Sequence, residues 1–119
     1  MPLAPEYRAM LDQLAAGDPT PSISELPIDA GRALYRAMRP VNEDIKVSTI
    51  RGESLPGPNG PIPVRIYQPG ITTGVLIFLH GGGWVIGDLD TSDAVCREIS
   101  AIGELNVISV DYRLAPEHL

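Results

Sequence analysis

The sequence predicts an α/β fold: N-terminal helices, an antiparallel strand pair, then a parallel strand–helix–strand unit of a mostly parallel sheet. Three observations carry this. Val75-Leu76-Ile77-Phe78-Leu79 is apolar without a break, as in a strand buried on both faces of a parallel sheet. Val107-Ile108-Ser109-Val110 forms a second such run, and the segment between them has helical spacing. Before them, near Ile45, the apolar period changes from helical to alternating.

Residues 3–16 have the spacing of an amphipathic helix, with Leu3, Tyr7, Met10, Leu11 and Leu14 on one face and Gly17-Asp18-Pro19 as its stop. Pro19 and Pro21 form a stiff connector. A second helix is expected from about Asp29 to Arg39, with Ala30, Ala33, Leu34, Ala37 and Met38 on its apolar side and Pro40 after it. From Ile45, residues Ile45, Val47 and Thr49 share one face of an extended segment. The next strand is Ile62 to Tyr67, and the Leu55–Gly60 stretch between them is rich in Pro and Gly, a turn signal.

After the glycines at 81–83, Asp90, Thr91 or Ser92 can cap a helix running to about Ile102. Val95, Ile99 and Ile102 give it an apolar stripe, and Gly103 ends it. The strand–helix–strand order is a right-handed crossover, so the two strands should be parallel. Asp93 and Arg97, at i and i+4, suit a solvated ion pair on the helix surface.

Nine Lys and Arg stand against 15 Asp and Glu, a formal net charge of −6. That balance argues against nonspecific nucleic-acid binding, which needs a basic surface. Cys96 is the one cysteine, so no internal disulfide can form. It is expected to be a small buried apolar residue in mid-helix. The start MPLAPEYRAM has neither a basic region nor an apolar signal core, and no run has the length of a membrane span. A cytoplasmic location is the resulting expectation.

The stretch that organises the chain is GVLIFLHGGGWVIG, from Gly74 to Gly87. A buried strand stops at His80, and three glycines follow where a turn needs one or two. Bare backbone can come close to a ligand there and present its N–H groups. Such a device can hold an oxyanion. DYRLAPEH follows at Asp111–His118, at the C-terminal end of the second strand, where open α/β sheets gather their sites.

HGGGW followed one strand–helix–strand unit later by DYRLAPEH resembles the hormone-sensitive-lipase-like branch of the α/β-hydrolase fold, the serine carboxylesterases and lipases. The resemblance covers the chain from about Ile45 onward and more loosely the N-terminal helices. It implies that residues 1–43 form a helical cap segment and residues 44–119 the N-terminal part of the hydrolase core. It implies that Gly82 and Gly83 donate backbone N–H groups to the carbonyl oxygen of a bound ester. Gly81 would serve the turn, and His80 would orient the loop rather than act as the catalytic base. Trp84 would line the acyl or alcohol side of the pocket. Asp111 and Tyr112, with Arg113, Glu117 and His118, would brace the site from behind. No cofactor or metal is expected, and the substrate would be a small ester with a short or medium acyl chain.

The family's nucleophile elbow, G-x-S-x-G, does not occur in these 119 residues, nor do the later acid and base. Gly52-Glu53-Ser54-Leu55-Pro56 has proline for the final glycine and precedes a turn. The glycines do not complete G-x-G-x-x-G either, because Ile86 holds the sixth position counted from Gly81. The expectation is therefore the oxyanion-hole part of a serine esterase, inactive alone. The strand Val75–Leu79 would have one neighbour here and one on further polypeptide, either a second chain or a copy of this one. The alternative is a non-catalytic fragment or a hydrolase-like interaction module.

Overall fold

The structure is a computed structural model; it describes residues 3–17 and 22–118. Its four strands are β1 (Thr49–Leu55), β2 (Ile62–Gln68), β3 (Gly74–Leu79) and β4 (Leu105–Val110). Three helices accompany them: α1 (Pro5–Ala16), α2 (Ile28–Ala37) and α3 (Asp93–Gly103). A single 3₁₀ turn, Ile23–Glu25, precedes α2. The sheet order is β1-β2-β4-β3. β1 and β2 are antiparallel, as are β2 and β4, whereas β3 and β4 are parallel.

The crossover and the antiparallel pair lie where the pattern places them, with shifted bounds. Ile45 and Val47 precede β1 rather than belong to it. β1 instead continues through Arg51, Gly52 and Glu53 to Leu55, because its backbone pairs residue for residue with β2. The turn that joins them closes with Gly60 N–H on Gly57 C=O at 3.3 Å. Predicted residues Asp18 to Pro21 of the first connector lie outside the described residues.

One face of the sheet packs on α3. Tyr67, Val107 and Cys96 are fully buried at that contact, with Leu76, Phe78, Ile99 and Leu105 around them. Complete burial of a side chain such as Val107 contributes about 1.5–3 kcal/mol. Cys96 is buried as its sequence context suggested, and burial pushes its thiol up to about 11. The helix stripe, however, is offset from the one its apolar residues suggest. Cys96, Ser100 and Asp93 face inward, while Val95 is 40% and Ile102 83% exposed. Polar anchoring of Asp93, described below, sets this rotation. Gly103 is the last helical residue, and Glu104 beyond it takes the left-handed conformation (φ 51°).

The opposite face departs from the two-sided burial expected of β3. Val75, Ile77 and Leu79 are 64–67% exposed, and they alternate with the half-buried Leu76 and Phe78. The continuous apolar run is thus covered on one side only among the described residues. β3 also forms an edge of the sheet, with β4 as its neighbour. The apolar face of α1 is likewise open: Leu3, Tyr7, Met10, Leu11 and Leu14 are all exposed. No helix among the described residues is long and apolar enough to cross a membrane.

Candidate active site

β3 ends at Leu79, and the chain enters the glycine loop through His80. The loop is a tight coil. Val85 and Ile86 both donate to Gly82 C=O, at 3.2 and 3.0 Å. Gly82 has φ 143°, and a Cβ built on it would lie 1.9 Å from Ile86 O. No other residue fits there, because both the dihedral and the space exclude a side chain. Gly83 and Trp84 continue with φ 57° and 64°. Among the described residues neither Gly82 N–H nor Gly83 N–H donates a hydrogen bond. Gly82 is half-buried and Gly83 exposed, so both amides are open to water or to a ligand.

Both glycines form a wall of a cavity of about 550 Å³. Facing them are Ile23 and Leu26 from the segment before α2 and Ile28 at its start, with Val85 and Ile86 on the loop side. The lining is chiefly apolar, with Ser22 and Ser24 hydroxyls at its edge. Ser22 and Glu25 form a reciprocal cap on the 3₁₀ turn that carries Ile23, including Ser22 N–H to Glu25 Oε2 at 2.9 Å. The turn was not foreseen, although Ser22-x-x-Glu25 spells that cap in the sequence.

His80 is buried to 6% exposure. Its Nδ1 lies 3.0 Å from Gly81 O. A carbonyl oxygen can only accept, so Nδ1 carries a proton in this contact. Nε2 has no partner among the described residues. The imidazole is held between the Gly87 backbone and the ring of Tyr112. Gly81 sits at the entry to the coil with open space beside it. Trp84 is 79% exposed and lines none of the cavities described here.

The segment after β4 folds back onto this loop. Ala115 N–H donates to Trp84 C=O at 2.9 Å, and the Ala115–Pro116 peptide is cis. Asp111 N–H donates to Pro63 C=O at 2.9 Å. Burial, then the nearby charge of Asp88, holds the Asp111 carboxyl above its ordinary range. His118 N–H closes a turn on Leu114 C=O at 3.0 Å, and Arg113 is exposed.

Four arginines that the sequence did not single out as site residues, or placed elsewhere, tie these parts together. Arg32 on α2 donates Nε to Val85 O at 2.9 Å, Nη2 to Ala115 O at 3.1 Å, and both terminal nitrogens to Glu117. That pairing holds the Glu117 carboxyl down to about 2. Arg36, one turn on, pairs with Asp88. Burial opposes ionisation of Asp88, but the Thr91 N–H and the Arg36 guanidinium outweigh it and keep the carboxyl below its usual range. The i, i+4 spacing of Arg32 and Arg36 was visible in the sequence; their partners, far along the chain, were not.

Asp93 corrects the expectation of a solvated surface pair. It is 1% exposed and accepts from Arg97 Nε at 2.5 Å, Arg65 Nη1 at 3.2 Å and the Tyr67 hydroxyl at 2.8 Å. Arg65 also donates to Leu89 O at 3.2 Å and Asp90 at 2.7 Å. The start of α3 and the exit of the glycine loop are thereby fixed to β2. Ser92 precedes α3, but its hydroxyl donates to Asp88 O at 2.8 Å rather than capping the helix.

Comparison with known proteins agrees with this fold. Residues 76–119 match the model of a family described by its alpha/beta hydrolase fold. The chain is 48% identical to the carboxylic ester hydrolase LipN of Mycobacterium tuberculosis over 89 residues, which are 73% of this chain and 23% of LipN. It superimposes on the hyperthermophilic esterase of Pyrobaculum calidifontis with a TM-score of 0.79 at 33% identity, covering 99% of this chain and 39% of that one. An ester-hydrolase from the metagenome of Lake Arreo, solved with a bipyridine phosphonate derivative, gives a TM-score of 0.80 at 36% identity and covers 98% and 39%. The chain thus spans less than two fifths of the length of each of these relatives. With this fold, this loop and these relatives, the chain belongs to the hormone-sensitive-lipase-like carboxylesterase family of the α/β-hydrolase fold.

Proposed function

We propose that these residues are the oxyanion-hole part of a serine carboxylesterase acting on short- to medium-chain acyl esters. The observation that carries the reading is the pair of unengaged N–H groups at Gly82 and Gly83 on the wall of an apolar cavity. A serine hydroxyl, supplied by residues outside this sequence, attacks the ester carbonyl carbon. The carbonyl oxygen becomes negative, and the two amides stabilise it more in the transition state than in the ground state. One such donor is worth about 3 kcal/mol of barrier. The alcohol leaves, and water then releases the acyl group from the serine.

The apolar lining from Ile23, Leu26 and Ile28 suits an alkyl chain of an ester. Trp84, beyond the glycines, would meet an ester group that extends out of the cavity. His80, Gly81, Asp111 and Tyr112 would hold the loop without touching the reacting atoms. Residues 1–43 would act as the cap segment and 44–119 as part of the core. The exposed row Val75, Ile77 and Leu79 would be covered by further polypeptide of the same hydrolase or by a second copy.

Hydrolysis of a short-chain nitrophenyl ester by the complete protein, with and without a serine-directed organophosphate, tests this. Hydrolysis that the reagent blocks is the expected result. An intact, folded protein that binds the ester without cleaving it would instead be a hydrolase-like binding module.

A further inference from the structure

We propose that Arg32 is a positioning residue for the oxyanion site, acting on the Gly83 N–H through two peptide groups. The proposal rests on the esterase reading above. Arg32 Nε–H donates to Val85 C=O at 2.9 Å. That carbonyl shares a planar peptide group with the Ile86 N–H. The Ile86 N–H donates to Gly82 C=O at 3.0 Å. Gly82 C=O in turn shares its peptide group with the Gly83 N–H, the donor expected to meet the oxyanion. Each link runs donor to acceptor in the same sense, from a guanidinium at one end to the free amide at the other.

Two effects follow. Planarity makes the chain an orienting device. With Gly82 C=O held by two donors, the direction of the Gly83 N–H is set as well. Polarisation adds to it. Hydrogen bonds in series strengthen one another by roughly 10–30% per bond, and a charged donor at the head is the strongest start. The guanidinium is itself fixed by Glu117, at 2.8 and 2.9 Å, and by Ala115 O at 3.1 Å. Helix α2 therefore does more than cover the cavity: it sets the direction and the strength of a donor it does not touch.

The test compares Arg32→Lys and Arg32→Met with the unaltered protein in its complete form. Lysine keeps the charge but not the fork that reaches Val85, Ala115 and Glu117 together. Three quantities are read: kcat and KM for a nitrophenyl ester, hydrogen exchange of the Ile86 amide, and the chemical shift of the Gly83 amide proton. Arg32→Met is expected to lower kcat about 10- to 100-fold with KM within about twofold, a loss typical of a misplaced catalytic group. Ile86 exchange should quicken and the Gly83 proton move upfield, with Arg32→Lys intermediate in all three.

A lower melting temperature with unchanged Ile86 exchange, Gly83 shift and kcat would make Arg32 a plain strut and overturn the proposal. If the Arg32 variants do not fold, Glu117→Gln loosens the same guanidinium from its far side. It should move the Gly83 proton in the same direction by less, and no movement would count against the relay. If the unaltered protein cleaves no ester, the esterase reading fails, while the two amide measurements still decide whether Arg32 governs the loop.

Discussion

Tyr112 lies flat on His80, with ring centroids 4.2 Å apart and planes inclined by 16°, and its hydroxyl donates to the carbonyl of that same histidine. One side chain thus holds both the ring and the backbone of the residue that leads into the glycine coil. The two contacts can be separated. Tyr112→Phe keeps the stack and removes the hydroxyl, at a cost of about 0.5–1.5 kcal/mol. Tyr112→Ala loses both and should cost about 3–5 kcal/mol in chemical denaturation. Equal losses from the two variants would mean that the stack holds nothing.

Gly82→Ala addresses the coil directly. The methyl group cannot be placed without moving the Ile86 carbonyl, since 1.9 Å separates them. The coil must open, and the direction of the Gly83 amide goes with it. The complete protein should then lose about 100- to 1,000-fold in kcat, the range seen when an oxyanion donor is removed. Retention of most of the wild-type kcat would exclude the coil from the reaction.

Asp93→Ala leaves Arg65 and Arg97 facing each other without the carboxylate they share. Removal of one member of a buried ion pair costs about 3–5 kcal/mol, because the remaining charge stays desolvated. Urea unfolding of this variant should show that loss. A change below about 1 kcal/mol would place the pair with ordinary surface bridges.

Stability should also fall with acid in a way that involves Glu117. Its folded carboxyl lies at about 2, lowered by the Arg32 hydrogen bonds, against about 4.3 in an unfolded chain. A depressed carboxyl stabilises the fold above the unfolded value, and that contribution disappears as pH falls through the folded one. Asp88, also lowered, acts in the same direction, whereas the raised Asp111 opposes both. Melting temperatures of Glu117→Gln and the unaltered chain should therefore converge between about pH 4.5 and 2. Parallel curves across that range would show that the pair contributes nothing. The exposed position of Glu117 keeps the expected difference small.

Much of the architecture was legible because it rests on local signals. The apolar runs ending at Leu79 and Val110 stop where backbone pairing stops, and the spacing between them admits only a crossover helix. The glycine at 82 is equally local, since a position that excludes a Cβ must advertise glycine. What was misread depends on distant partners. Asp93 and Arg97 look like a surface pair until Arg65 and Tyr67 arrive from another strand. Val75, Ile77 and Leu79 look buried because composition reports affinity for cover, not its presence. Arg32 carries no motif at all; its partners stand 53, 83 and 85 positions away.

That separation bears on how the protein is made. A ribosome releases the chain from its N-terminus, so α2 emerges well before Val85 and long before Glu117. During that interval its two arginines have no carboxylate from the loop or from the segment after β4. The glycine coil cannot take its final form when it is synthesised, since one of its ties is to Ala115, which is made later. Contacts that join distant positions form late. The strands would pair first and the glycine loop would set last, so that a polypeptide interrupted before residue 117 would hold the sheet while the loop still lacked its Glu117-braced arginine.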